Sequence, residues 1–403
     1  MSMKKSLGLL LMLVANFSNA QFIEHEDRDK RYPIPASFVR STTYQVGMFT
    51  HMAEITPTCK VAKSSSPVPL LQSPRDLLNT KYELIFNYTL KEHLAKNNVM
   101  GFTFVRDGKV IDQHYQYERR SDDLFASFSA GKSITSILIG IAFDEGLITS
   151  LDDPVSKYTD RISESSYSKI KIRSLLRMSS GIPYSEPHTG RGDASVFDES
   201  LRNNSNSSVP KTLNQWQRTS SNEGKKFNYA SIETAVLAEV IRGATGKSVC
   251  QYTQEKLWGP IGAESDAYWE TDSEGNVLGH SGFNATQLDY AKVAVMLANM
   301  GEIYGRRVLS VDYINQATNV DRQPDGFKYD QADKLSGYGY QFWLQKNPGR
   351  YYMNGSYGQY VFVDRDSKSV LVVHTSDPVR VNGMRTLRTR RLFDSLITAT
   401  NPQ

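Results

Sequence analysis

Residues 129 to 147 limit the architecture more than any other stretch of the chain. Ile134, Ile137, Leu138, Ile141 and Ala142 recur at helical spacing, and Ile139 carries apolar character round to another side. Such a helix has to be covered on most sides, so the fold must wrap more than one layer around it. Gly146 supplies a stop. Lys132 nevertheless falls near the start of this helix, where burying an ammonium is costly without a compensating role.

The text on either side of this helix reads as sheet. Gly101 to Ile111 holds two apolar runs around Asp107-Gly108, a hairpin signal because Asp-Gly accepts the positive φ angles of a tight turn. Tyr360–Val363 and Val370–Val373 form a second hairpin around Asp364 to Lys368, and Tyr338 to Trp343 alternates. Helices are predicted over 82–95, 172–178, 231–241 and 386–398. Strands at both ends with helices between them predict an α+β chain: one discontinuous sheet lobe with an inserted helical lobe at roughly 150–270. No repeat of solenoid period is present.

The N-terminus predicts a signal peptide over 1–20. Lys4 and Lys5 precede an apolar run from Leu7 to Ala15, and Ser18-Asn19-Ala20 supplies small residues for cleavage. The run is too short to span a bilayer. A periplasmic or secreted protein is therefore expected, with no stable membrane insertion once the signal is removed; a buried N-terminal helix is the plainer alternative. Residues 21–80 are expected to be an irregular extension wrapped on the main body. The net charge of +4 falls to about +2 without Lys4 and Lys5, and the remaining cations are scattered, which excludes nucleic acid as a partner. Two cysteines, Cys59 and Cys250, could bridge in an oxidising compartment, but sequence leaves their pairing open. With neither CxxC nor a Cys/His cluster, no metal is expected.

Ser129 and Lys132 stand three residues apart, on one helical face within hydrogen-bonding reach. An amine there can accept the serine proton, and the helix N-terminus offers a positive field and a backbone N–H to a developing oxyanion. The pattern alone is cheap: it recurs at Ser2, Ser166, Ser168 and Ser208. Ser129 could equally be a helix cap beside a solvated lysine. Competing constellations are weaker. Residues 279–283 and 354–358 each miss a glycine of the Gly-x-Ser-x-Gly elbow, and no HExxH pair exists. His280 is expected to be a hydrogen-bonded structural histidine, and Arg191-Gly192-Asp193 a surface turn.

The surrounding text decides between these readings. Asp123-Leu-Phe-Ala-Ser-Phe-Ser129-Ala-Gly-Lys132-Ser, Gly146-Leu-Ile-Thr-Ser-Leu-Asp-Asp-Pro-Val-Ser-Lys-Tyr158 and Ile172-Arg-Ser-Leu-Leu-Arg-Met-Ser-Ser-Gly-Ile182 resemble the serine β-lactamase-like hydrolases. That family includes class C β-lactamases, DD-peptidases, esterases and 6-aminohexanoate-dimer hydrolases. The resemblance runs from about Tyr82 to Phe393. It implies a β-lactamase/transpeptidase-like fold over 81–400, an antiparallel sheet flanked by helices plus an all-α lobe. It also implies that Ser129 is acylated, that Tyr229 in Phe227-Asn-Tyr-Ala-Ser231 relays protons, and that Ser231 contacts substrate or lysine. A nearby Lys132 cation is expected to make that phenol usable near neutrality.

Tyr351 to Gln359 lacks the Lys-Thr-Gly of class C β-lactamases and is similar to the Gly-x-x-Gly-Gln form of the amide- and ester-hydrolysing branch. Ser356 N–H becomes the second oxyanion donor, and Asn284 a residue packed behind the site or in a structural turn. Loss of the lysine removes a partner for a substrate carboxylate and argues against efficient β-lactam turnover. The expected activity is cleavage of a small amide or ester without metal or organic cofactor. The alternatives are a β-lactamase or DD-peptidase, and a catalytically silent binding or sensor protein of the same fold. Oligomeric state stays open.

Overall fold

A computed structural model describes residues 31–187, 191–202, 206–334 and 336–401, and in it the two strand groups expected at the ends of the domain meet in one sheet. The signal-peptide reading lies outside these residues. The sheet has eight strands in the spatial order Gly337–Tyr338, Trp343–Leu344, Arg350–Gly355, Gln359–Asp364, Ser369–Thr375, Val99–Arg106, Lys109–Tyr115 and Leu71–Gln72. All neighbours are antiparallel except the last pair. Both expected hairpins are present, with Asp107 (φ 48°) and Gly108 (φ 71°) making the first turn.

The central strands are buried on both faces because helices cover both. Phe102, Phe104, Phe362 and Leu371 pack with Leu90, Leu94, Leu392 and Leu396, from the Leu90–Lys96 and Gly383–Ala399 helices. Val105, Val361 and Val370 belong to the larger core, which also holds the Gln287–Ala298 helix. That core encloses the Gly131–Asp144 helix, in which every residue from Gly131 to Ala142 is buried. Gly146 follows its end at φ 72°. In the inserted lobe the Ser231–Thr245 helix packs against it, and Ile172–Leu176, Asp193–Arg202, Val209–Asn214 and Val249–Thr253 pack in turn on Ser231–Thr245.

Three local expectations need correction. The apolar spacing over 82–95 is a helix only at Leu90–Lys96. Lys81–Glu83 and Asn87–Thr89 pair as a hairpin instead, and Ile85 at its tip is 76% exposed. Thr89 starts the helix with a capping box: its side chain accepts from Glu92 N, and Glu92 accepts from Thr89 N. Tyr338 to Trp343 is not one strand. Gln341 (φ 62°) turns it, and its side chain ties the turn to Leu175 O, Leu176 O and Thr234 Oγ1. Asp193 opens a helix and pairs with Arg218 rather than ending a free surface turn.

The extension is more ordered than its composition suggests. It forms the Gln45–Thr50 and Met52–Ile55 helices. It then adds Thr58–Val61 to a second antiparallel sheet with Ala267–Glu270, Phe283–Ala285 and Phe125–Ala126. Cys59 and Cys250 form a disulfide across 191 residues, fastening the extension to the helical lobe. Closing so long a loop removes unfolded-state entropy, by about 5 kcal/mol in the chain-entropy picture. The double variant Cys59→Ala/Cys250→Ala should lower unfolding free energy in urea by about 2–4 kcal/mol. A midpoint that does not move would show that the extension is held without the bond.

Candidate functional site

Ser129 sits in the 3-10 turn Phe128–Ala130, just ahead of the buried helix rather than inside its first α-turn. Phe128 immediately before it takes φ 45°, a conformation unfavourable for a bulky residue that the surrounding packing must enforce. Phe49 of the extension supplies part of that packing. Its ring lies 4.8 Å from Phe128 and 5.1 Å from Tyr357, and Tyr357 itself holds φ 63°. On the other side, the Arg350–Gly355 strand runs into the same turn. A Cβ at Gly355 would fall 2.1 Å from Ser127 O, so only glycine permits this approach.

Lys132 is 1% exposed, and its Nζ donates to Ser129 Oγ at 3.1 Å and to His280 O at 2.7 Å. Burial lowers its pKa to about 8, against the upward pull of Glu186 and Asp198 and with help from Arg380. The neutral amine, the form a proton acceptor requires, is therefore reached at a lower pH than for a free lysine. His280 has the structural role expected of it. Its ring nitrogens bond to Leu278 O at 2.8 Å and Asp198 Oδ1 at 3.0 Å, while its carbonyl holds the lysine.

Tyr229 comes from the loop preceding the Ser231–Thr245 helix. Its ring stacks on Trp343 at 5.8 Å, Lys132 Nζ lies 5.2 Å from the ring centroid, and Tyr229 and Ser129 line one cavity. Burial pushes the phenol upward, with Glu186 adding to the effect; Ser129 and Arg380 oppose it. The expectation that Lys132 would acidify the phenol is not met, because desolvation outweighs the neighbouring charges. Tyr229 is held as a neutral donor.

Ser231 N–H and Oγ both donate to the Glu186 carboxylate, at 2.8 Å each, so the pair caps the start of the helix, and no hydrogen bond joins Ser231 to Lys132. Asn284 lies in the buried Phe283–Ala285 strand and donates to Gly282 O at 3.0 Å and Tyr268 O at 3.4 Å; it forms no turn and does not line the cavity. Ser356 does line it. The cavity, about 250 Å³, also has Ser129, Tyr229, Glu186, Trp343 and Arg380 in its wall. Glu186 and Arg380 escaped sequence reasoning because each stands in a polar loop without periodicity or motif. Among the described residues no group of three or more His, Cys, Asp or Glu side chains could hold a metal ion.

Comparison with known proteins agrees with the fold. The Beta-lactamase family model matches residues 89–394. A 6-aminohexanoate-dimer hydrolase of Paenarthrobacter ureafaciens is 25% identical over 340 residues, 82% of this chain and 85% of the relative. A Bacillus anthracis structure whose name carries a provisional 6-aminohexanoate-dimer hydrolase assignment superposes with a TM-score of 0.79 at 23% identity, covering 91% of this chain and 98% of that one. A D-stereospecific amidohydrolase from a Streptomyces species superposes at 0.54 and 18% identity, covering 73% and 94%. With three quarters of its length matched by one family model, and hydrolases among its relatives, this chain is a hydrolase of the beta-lactamase family.

Proposed function

We propose that the protein cleaves a small amide or ester through an acyl-enzyme on Ser129, with 6-aminohexanoate-type linear amides as the substrate model. The observation that carries this reading is the buried Lys132 amine, 3.1 Å from Ser129 Oγ and poised near pH 8. Neutral Lys132 takes the Ser129 proton as Oγ attacks the substrate carbonyl carbon. The N–H groups of Ser129 and Ser356 receive the oxyanion. Tyr229 gives its proton to the leaving amine or alcohol, and the Lys132 ammonium reprotonates it. Water attacks the ester carbonyl in the second half-reaction, and Ser129 recovers its proton. The likeness to a 6-aminohexanoate-dimer hydrolase supports the substrate model.

Export to the periplasm or medium belongs to the same proposal. Its support is the Lys4-Lys5 and Leu7–Ala15 text together with the Cys59–Cys250 disulfide, a bond that persists in oxidising compartments. N-terminal sequencing of the protein recovered from a producing bacterium should begin at Gln21. Recovery of the intact Met1 terminus from the cytoplasm would refute export.

A fluorophosphonate followed by peptide mapping should label Ser129 alone, and Ser129→Ala should abolish both label and 4-nitrophenyl ester hydrolysis. Label persisting in the variant would refute the acyl-enzyme. Lys132→Ala should cost about 10²–10⁴ in kcat/KM, the usual weight of a positioned base. The neutral amine is the active form, so kcat/KM should climb about tenfold per pH unit below the Lys132 pKa and level above about 8. A profile flat from pH 6 to 9 would remove Lys132 as base.

Phe49→Ala removes the ring that packs on Phe128 and Tyr357. It should lower kcat about tenfold or more through misplacement of the turn. Activity unchanged in a folded variant would mean the extension does not support the site.

A further inference from the structure

We propose that the hairpin at residues 81–89 is a membrane-docking element that seats the protein on an anionic phospholipid surface. Hairpin tips favour Gly, Asn, Asp and Ser, which suit both the bend and the solvent. Here the tip is Leu84-Ile85-Phe86, with Ile85 76% and Phe86 69% exposed. Among the described residues no other large apolar side chain is as exposed as these two. Neither belongs to a hydrophobic core, so the pair does nothing for folding.

The tip is nevertheless held firmly. Lys81–Glu83 and Asn87–Thr89 pair beneath it, and Leu84 N donates to Phe86 O at 3.3 Å. Tyr82 is buried, stacks on Tyr88 at 5.7 Å and hydrogen-bonds His93 Nδ1 at 2.9 Å, which fastens the hairpin to the Leu90–Lys96 helix. A tip ordered in advance loses little entropy on docking.

Charge decides the occupant. Lys96 Nζ and the Arg388 guanidinium lie 4.9 and 5.7 Å from the Tyr88 ring centroid, so cations stand at the base of the hairpin. Lys81 on the hairpin and Lys91 just after it are exposed. Glu92 is taken up by Lys96 and the Thr89 cap, which leaves Glu83 as the acid on the hairpin. Lys81, Lys91 and Arg388 pair with no carboxylate among the described residues. An apolar tip above cations fits a bilayer with negative headgroups: the tip enters the acyl boundary while Lys and Arg meet phosphates. A second copy of the chain would set the same cations against one another, which disfavours it. The docking is peripheral, since among the described residues no helix is long and apolar enough to cross a membrane.

Co-sedimentation with vesicles tests this. The protein as its producing bacterium makes it should pellet with vesicles of equal phosphatidylcholine and phosphatidylglycerol, and less with phosphatidylcholine alone. Ile85→Ser/Phe86→Ser should lower the partition coefficient about tenfold or more, with the thermal midpoint and 4-nitrophenyl ester hydrolysis unchanged. Any contribution of the N-terminal Leu7–Ala15 run is common to both proteins. Lys81→Glu/Lys91→Glu should weaken binding to the anionic vesicles alone, and added salt should do the same to the wild type. A wild type that binds neither vesicle, or a tip variant that binds as the wild type does, overturns the proposal. So does a wild-type dimer in sedimentation velocity that the tip variant turns into a monomer, because the tip is then a contact between copies.

Discussion

The buried Lys132 amine is the constraint around which the structure is arranged. It has two neutral acceptors, Ser129 Oγ and His280 O, and among the described residues no carboxylate forms an ion pair with it. Lys292 makes the comparison clear. It is equally inaccessible, yet it is bonded to Glu264 at 2.7 Å and Asp289 at 3.2 Å, a paired cation that knits the helix to its neighbour. Burial with charge partners gives a strut, while burial without them disfavours the charged form and yields a base. Closing the core over the Gly131–Asp144 helix therefore does two things at once. It stabilises the fold and shifts the lysine toward the state its chemistry needs.

That dependence explains why the neighbouring groups are backbone-anchored. His280 offers its carbonyl while its ring is tied to Leu278 O and Asp198, so the acceptor cannot swing away. Tyr229 is fixed by stacking on Trp343, and Gly355 lets a strand edge press against Ser127. Each contact comes from a different element, and each element is held to the buried helix by apolar packing.

What was legible in the sequence follows from local chemistry. The apolar period of residues 134–142, the Asp107-Gly108 turn and the Ser129/Lys132 spacing each depend on neighbours within a few residues, so the α+β class and the closeness of Ser129 to Lys132 could be read locally, while only the resemblance of the flanking text favoured a catalytic reading over a helix cap. The hairpin at 81–89 was misread because Leu84 and Ile85 imitate a helical period, although Ile85 faces solvent. Glu186, Arg380 and the Cys59–Cys250 bond are brought to their places by tertiary folding, and no local pattern encodes their arrival. Ser231 was recognised as a residue near the site, but whether it touches substrate or a carboxylate is decided by a loop 45 residues away.

The extension shows the same logic at longer range. Its composition is that of a loop, yet Phe49 completes a three-ring cluster with Phe128 and Tyr357, two residues in left-handed backbone conformations beside Ser129 and Ser356. Strain of this kind persists only where packing overrides it. The disulfide anchors the extension at Cys59, and Leu71–Gln72 joins the main sheet twelve residues later. The segment therefore packs behind the turns that carry Ser129 and Ser356 as well as adding to the core. The nucleophile turn and the proposed oxyanion turn share Phe49 as a common support, so displacing that ring would disturb both sides of the reacting carbonyl together.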